Sequence, residues 1–253
     1  SPKTAGKALE ETLPYPPGGK PYQVLSTGDL IRSVHGTAYT RLWNADLLTA
    51  VAEAAPGFTA PPKADAGGSG LYCGEQDLFA FLIDPDGWVE IQGEQFAPGF
   101  FVWNSEVGRR SLGLQTFWFQ RVCGNHIVWD VTDVTEFSRK HTANVRDGLD
   151  EIRRRIEALA ATRDARRDGF AAVLKTATAT RLGDDSESVL KALSRESVPK
   201  DLATQAVAAV EERKAFSVFS LVDALTRLTQ TFRYAGDRTE LDQKVAALFA
   251  LAV

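Results

Sequence analysis

Apolar residues between positions 71 and 132 alternate or run together over short stretches, and this pattern predicts a series of antiparallel strands. Leu71 to Ile83 ends in a nearly continuous apolar run, which is typical of a strand covered on both faces. The sequence Asp-Pro-Asp-Gly at 84–87 predicts a turn, because proline presets φ and glycine tolerates positive φ. The strands that follow are predicted at 88–96, 100–103, 112–122 and 126–132.

The strand predicted at 112–122 carries large apolar side chains on both faces. Successive side chains of a strand point to opposite sides, so Trp118 and Phe117 are predicted to lie on opposite faces of the sheet. A sheet with aromatic residues on each side exposes too much apolar surface to stay in water. We therefore expect other elements to cover both faces.

The residues before this sheet predict a smaller set of elements. Residues 1–21 are rich in Pro, Gly and Lys and predict a flexible arm. Short strands are predicted at 22–30 and 36–43. Asn44 is predicted to cap a helix that a Pro-Gly pair ends, and the Pro/Gly/Ser-rich stretch 55–70 predicts a surface loop.

The residues after the sheet predict helices. Apolar positions recur every three or four residues between Phe137 and Ala179, which predicts one long amphipathic helix with weak points at Gly148 and Gly169. Helix starts are predicted at Asp185 or Ser186, at Pro199, and at a Thr239–Asp242 capping pair. The strongest apolar stripe spans 217–232 and predicts burial of Val222, Leu225 and Leu228.

Strands first and helices afterwards predict an α+β fold. The expected architecture is an antiparallel β-meander packed by a long helix and followed by a C-terminal helical region. We expect one α+β domain over 22–180, with residues 181–253 packed on the same domain. No apolar run of about 18 residues predicts a membrane span, and no signal segment precedes the domain, so the sequence predicts a cytoplasmic protein without membrane partners.

The middle of the chain is locally basic. Residues 101–181 hold fourteen Lys/Arg and ten Asp/Glu, whereas the whole chain has a net charge of −4. The basic side chains that could line one groove for a polyanion are Arg109, Arg110, Arg121, Arg139, Lys140, Arg146, Arg153, Arg154 and Arg155. The alternative interpretation is a solvated helix face on which arginines pair with the interleaved Asp and Glu residues.

Catalytic and metal signatures are absent from the sequence. Cys73 and Cys123 are too few for a disulfide framework and are expected to be buried, although thiol chemistry of Cys123 with His126 is an alternative. The histidines have no metal-ligand spacing, and no phosphate-binding glycine loop, serine nucleophile elbow or HExxH motif occurs. We therefore expect no cofactor and no metal, and a binding protein rather than an enzyme.

Two motifs in the middle of the sequence resemble those of a known protein family. The run Asn104-Ser-Glu-Val-Gly108, an apolar strand, and the closing Arg121-Val-Cys123-Gly-Asn125 resemble the phage/plasmid-like family, a bacterial domain of unknown function 932. The resemblance spans roughly residues 22–250. It departs at His126, where the family pattern has glycine and a turn with positive φ would strain histidine.

The resemblance implies a phage or plasmid association and a fold similar in outline to single-strand annealing recombinases. It leads to the hypothesis of a non-catalytic, oligomeric single-stranded DNA-binding protein, because cationic grooves with aromatic platforms hold single strands. Its site would comprise Arg109, Arg110, Trp118, Arg121, Arg139 and Lys140. The alternative is a protein-interaction or scaffold module of a mobile element. Exposed Trp118, Phe117 or Trp103 would favour nucleic acid, and buried ones the scaffold.

Overall fold

The protein is described by a computed structural model at residues 2–12, 21–62, 70–91, 93–121, 128–129, 137–212, 215–229, 241–242 and 244–252. Strands dominate the first part of the chain and helices the second, and all strand pairs are antiparallel. This arrangement confirms the predicted α+β fold, with a meander followed by C-terminal helices.

The main sheet contains seven strands. In chain order they are β3 (Leu71–Cys73), β4 (Leu78–Ile83), β5 (Val89–Ile91), β6 (Glu94–Asn104), β7 (Leu112–Gln120), β8 (Val128–Trp129) and β9 (Phe137–Arg139). Neighbouring strands follow the order β3-β4-β6-β7-β8, with β5 paired to β6 and β9 paired to the start of β7. The long pair β6–β7 therefore forms the centre of the sheet.

Two predicted strands are divided differently in the structure. The stretch 71–83 forms the hairpin β3–β4 rather than one strand, because residues 74–77 make a turn in which Gly74 N–H donates to the Asp77 carbonyl. Residues 94–104 form one strand, and the chain reverses before it at Gly93, which has φ +82°. The turn at 84–87 is confirmed: Gly87 N–H donates to the Asp84 carbonyl at 3.2 Å.

The N-terminal elements differ most from the sequence predictions. The predicted arm contains helix α1 (Pro2–Thr12), which packs near residues 30–36. Strands β1 (Tyr22–Thr27) and β2 (Leu30–Gly36) form a separate hairpin, so the second strand ends where the prediction began it. Residues 38–43 are irregular, because their backbone bonds to other segments, as when Thr40 N–H donates to the His141 carbonyl at 3.0 Å.

The helices with described bounds that follow are α2 (Asn44–Ala54), α3 (Asp147–Ala161), α4 (Arg163–Ala179), α5 (Ser186–Arg195), α6 (Lys200–Glu211) and α7 (Val218–Thr229). Residues 241–242 and 244–247 are also helical, and a 3₁₀ turn follows at Leu248–Ala252. The start of α5 is confirmed, since Asp185 and Ser188 form a capping box. The segment predicted as one long helix begins instead with strand β9, and its helical part is divided at Thr162 into α3 and α4. Gly148 permits the close packing of α3 on β7, where a Cβ would lie 2.7 Å from a Leu112 methyl group.

Helices α2–α7 cover one face of the sheet in two clusters. One cluster joins α2 and α3 to the face carrying Phe100 and Leu114, and the other joins α4–α7 to Phe96 and Trp118. The opposite face carries its own aromatic cluster, Phe79, Phe81, Phe101, Trp103, Phe117 and Phe119, which packs with Tyr72, Trp88 and Ala246. Both faces are thus covered, as the alternation predicted.

The predicted burial of the C-terminal stripe holds at two of three positions. Val222 and Leu225 are buried, whereas Leu228 packs against the core while remaining half-buried. The predicted Thr239–Asp242 cap lies partly outside the described residues. Asp242 itself is buried and accepts a hydrogen bond of 2.5 Å from the Thr229 hydroxyl. Among the described helices, none combines the length and apolar character needed to cross a membrane.

Candidate functional site

The turn between β6 and β7 contains the motif Asn104-Ser-Glu-Val-Gly108, and its polar side chains fix neighbouring segments. Buried Asn104 donates from Nδ2 to the Leu42 carbonyl at 3.0 Å and to Asn44 Oδ1 at 2.8 Å. The Ser105 hydroxyl donates to the Gln76 carbonyl and accepts from Arg109 N–H. The motif is therefore a clamp that holds the segment 39–44 and the β3–β4 turn against the sheet.

Glu106 adds two contacts to this clamp. Its carboxylate accepts the backbone N–H of Asn44 at 2.8 Å, which satisfies one of the unpaired donors at the start of α2. Its carbonyl accepts Arg41 Nε at 2.8 Å. The predicted side-chain cap by Asn44 is therefore wrong: Trp43 is the N-cap residue, and the acceptor comes from the distant Glu106.

Gly108 allows the β1–β2 hairpin to approach this turn. Its φ is +79°, and a Cβ there would lie 2.4 Å from Cε1 of His35. Glycine is required on both counts, because other residues are strained at this φ and would displace the imidazole. The glycine of the motif thus makes room for a histidine side chain.

Three rings stack beside Gly108. The His35 and Tyr39 ring centroids lie 3.9 Å apart, and those of Tyr39 and His141 lie 5.1 Å apart. The Tyr39 hydroxyl donates to the Ser105 carbonyl at 3.0 Å. The stack joins the hairpin, the segment 39–44 and the residues after β9 into one unit.

Burial favours the neutral form of each ring in this stack. Burial and the nearby Arg41 charge lower the pKa of His35, and burial lowers the pKa of His141. Hydrogen bonds to the Val107 and Thr40 carbonyls act in the opposite direction but do not outweigh burial. Burial also raises the pKa of Tyr39. Nε2 of each imidazole is buried without a hydrogen-bond partner, so an added proton there would be unsatisfied.

A groove of about 550 Å³ opens beside the stack. It is lined by His35, Gly36, Ala38, Tyr39, Gly108, Arg109, Arg110, Ser111, Lys140, His141 and Thr142. In the part of the chain that the structure describes, this lining contains three cationic side chains and no carboxylate. Such a surface is suited to an anion with several oxygen acceptors. We call it the cationic groove.

The four predicted cations near the groove differ in their pairing. Asp77 forms ion pairs with two of them, at 3.4 Å from Arg109 Nε and 3.2 Å from Arg110 Nε. Arg139 lies 3.8 Å from Asp147. The Lys140 side chain is exposed, and its ammonium makes no ion pair or hydrogen bond to the described part of the chain. Arg139 and Lys140 lie in and just after β9, which corrects the prediction that a helix carries them. Lys140 is thus the groove's least compensated charge.

The other two predicted site residues lie at the opposite end of β7. At the usual rise of about 3.4 Å per residue, its nine residues put the two ends roughly 27 Å apart. Arg121 bonds to Gln95 Oε1 at 3.0 Å there and contacts the Trp88 ring. Trp118 is fully buried and stacks on Phe170 at 4.5 Å. The prediction that Trp118 stacks on a base is wrong, because the ring belongs to the core.

The arginines in and beside helix α3 form ion pairs, as the alternative interpretation of the basic region predicted. Arg153 contacts Asp150 and Glu53, and both Arg154 and Arg155 contact Glu151. Arg146 lies 3.6 Å from Asp46. Because each of these positive charges has a carboxylate neighbour, helix α3 does not extend the groove as a basic face.

Sequence reasoning missed the segment Tyr39-Thr-Arg-Leu-Trp43. The Arg41 guanidinium lies 5.7 Å from the Tyr39 ring centroid and 5.4 Å from that of Trp43. Leu42 points the other way and is fully buried. The sequence did contain a signal for this arrangement: Tyr39, Arg41 and Trp43 occupy alternate positions, which places them on the side opposite to Leu42 in an extended chain.

The cysteines and other polar candidates offer no second centre in the described ranges. Cys73 is exposed on edge strand β3, which corrects the prediction of burial. Cys123, Asn125 and His126 lie outside the described residues. Within those ranges no three His, Cys, Asp or Glu side chains come together as a metal site.

Comparisons with protein-family models, with curated proteins and with solved structures find no match for this chain. The resemblance to the phage/plasmid-like family therefore stays a prediction. The residues of its motif that the structure describes, Asn104, Gly108 and Arg121, make contacts within the protein.

Proposed function

We propose that this protein is a non-catalytic module that binds single-stranded nucleic acid through its phosphates in the cationic groove. The observation that carries the proposal is the groove lining, whose described residues include Arg109, Arg110 and Lys140 and no carboxylate. Phosphate contacts dominate such binding and need no particular base sequence. The proposal includes the phage or plasmid association, the cytoplasmic location and the homo-oligomer that the sequence predicts.

Lys140 is the first phosphate contact in this proposal. Its ammonium has no partner in the described chain, so a phosphate does not have to displace an existing ion pair. Arg109 and Arg110 both contact Asp77, and the Arg109 side chain is 49% exposed. A phosphate can therefore approach the Arg109 guanidinium from the solvent side and add a favourable charge interaction.

The test is a salt titration of binding to a single-stranded oligonucleotide. Replacing Lys140→Ala should weaken binding at low salt and reduce the slope of log affinity against log salt by about 0.7 if one phosphate contact is lost. Replacing Arg109 and Arg110 by alanine should reduce it by about 1.4 if both contact phosphate. Asp77→Asn should have the opposite effect on affinity, because it releases both arginines from their carboxylate.

Lys191→Ala is the matched control, since it removes the same charge from exposed helix α5, where Lys191 pairs with Glu187 at 2.8 Å. It should leave both affinity and slope near the wild-type values. The proposal is overturned if wild-type protein does not bind the oligonucleotide at low salt, or if the Lys140 and Lys191 variants behave alike. Thermal melting of each variant separates loss of binding from loss of folding.

A protein-interaction module is the second candidate. Trp118 and Phe117 are fully buried and Trp103 nearly so, which is the arrangement that favours a scaffold over aromatic base contacts at those positions. The hairpin β1–β2 also exposes apolar side chains, among them Val24, Leu30 and Ile31. Absence of oligonucleotide binding would make this the leading function.

A further inference from the structure

Trp43 is the most exposed tryptophan among those whose side chains the structure describes, with 43% of its surface accessible. Trp118 and Trp103 belong to the core, and Trp88 is half-buried. A large aromatic ring left open to water is unfavourable unless it has a partner. The chemistry around the ring indicates what that partner is.

The Trp43 side chain is attached to a backbone that is fixed at several points. Asn104 bonds to the Leu42 carbonyl, Leu42 is fully buried, and Trp43 is the N-cap residue of α2, whose carbonyl accepts Leu47 N–H at 3.2 Å. The clamp at 104–106 thus fixes where the ring emerges from the protein. A pre-positioned ring loses little conformational freedom on binding, which favours affinity.

Arg41 joins this ring to the cationic groove. Its guanidinium lies within cation–π distance of Trp43 and of Tyr39, which lines the groove. Its Nε is held by the Glu106 carbonyl, but Nη2 has no hydrogen-bond partner, and Arg41 makes no ion pair with any described carboxylate. A positive charge therefore lies between an open aromatic ring and the groove.

We propose that Trp43 is the base-stacking platform of the nucleic-acid site, with Arg41 supporting its ring and linking it to the phosphate contacts in the groove. This inference rests on the proposed function and adds contacts to the unpaired bases to the contacts with the phosphates. Open aromatic faces beside cationic side chains are the arrangement that holds single strands without sequence preference. Trp43 takes the place that the sequence assigned to Trp118.

The experiment compares an oligonucleotide with an abasic oligonucleotide of equal length, so that the phosphates are the same and only the bases differ. Trp43→Ala should weaken binding of the base-bearing strand about fivefold or more, because stacking contributes about 1–3 kcal/mol per base. Its salt slope should not change, and its affinity for the abasic strand should match that of wild type. Trp43→Tyr should retain most of the affinity.

Leu71→Ala is the control, since Leu71 is a similarly exposed apolar residue on edge strand β3, and it should leave both affinities unchanged. The inference is overturned if Trp43→Ala binds the base-bearing strand as wild type does, or if it weakens binding to both strands equally. In either case an intact response to Lys140→Ala preserves the proposed function. If wild type binds neither strand, the proposed function and this inference fail together.

Discussion

Arginines flank both ends of strand β7, but one end borders an open groove and the other lies in the core. Its start, beside Arg109 and Arg110, borders an open groove lined by cations. Its end carries Trp118, buried between the sheet and helices α4–α7. Aromatic and basic residues close in sequence therefore do not make a binding surface by themselves. Which end can bind a ligand depends on where the helices pack.

Truncating Trp118 should give the largest effect and test the buried end directly. Trp118→Ala removes a ring that stacks on Phe170 and should lower the free energy of unfolding by about 3–5 kcal/mol. Chemical denaturation measures this change. Trp43→Ala is the matched comparison and should cost far less, because its ring is exposed. Equal losses of stability in the two variants would contradict the assignment of Trp118 to the core and of Trp43 to the surface.

The helical layer that covers the buried end provides a second test. Leu225→Ala, at a fully buried position in α7, should cost about 2–5 kcal/mol through lost transfer energy and the cavity left behind. The same change at half-buried Leu228 should cost less, since fewer contacts are lost. A melting temperature unaffected by Leu225→Ala would show that α7 is not part of this core.

At the groove end, Gly108→Ala should lower the free energy of unfolding by about 1–3 kcal/mol, because φ of +79° is strained for alanine. The added methyl group also collides with His35. His35→Ala removes the collision but also the stack on Tyr39, so the double variant is compared with His35→Ala alone and the difference is the backbone strain. Equal stability of these two variants would show that strain at Gly108 is negligible.

The smallest expected effect is a pH dependence of stability at the groove end. The pKa values of His35 and His141 are lowered in the folded protein, so the unfolded chain binds more protons just below its own value of about 6.5. Stability should be complete above that pH and should decline as the pH falls from 7.5 to 5.5. The groups facing the two imidazoles are Arg41 and Tyr39, with Lys140 and Arg109 in the groove lining.

Replacing His141 by glutamine removes one of these titrating groups. The melting temperature of the variant should therefore change less than that of wild type between pH 7.5 and 5.5. An identical pH dependence in both proteins would contradict the neutral, buried state of His141. Carboxylate titration contributes equally to both proteins and cancels in the comparison.

The sequence determined the elements whose signals are local. Alternation along 112–122 predicted a strand with both faces covered, Asp-Pro-Asp-Gly predicted the turn at 84–87, and the three- and four-residue spacing predicted helices in the second half. The C-terminal stripe predicted burial of Val222 and Leu225. These signals suffice because side-chain period and turn geometry depend on neighbouring residues alone.

Only the tertiary structure shows which side chains are buried and which charges are paired. Glu106 caps a helix that begins 62 positions earlier, and Asp77 pairs with arginines more than 30 positions later. Trp118 and Trp43 differ in what packs on them, which no local pattern specifies. Burial and charge pairing are set by contacts between residues far apart in the chain, so the sequence indicated the residue types of the site but not its location.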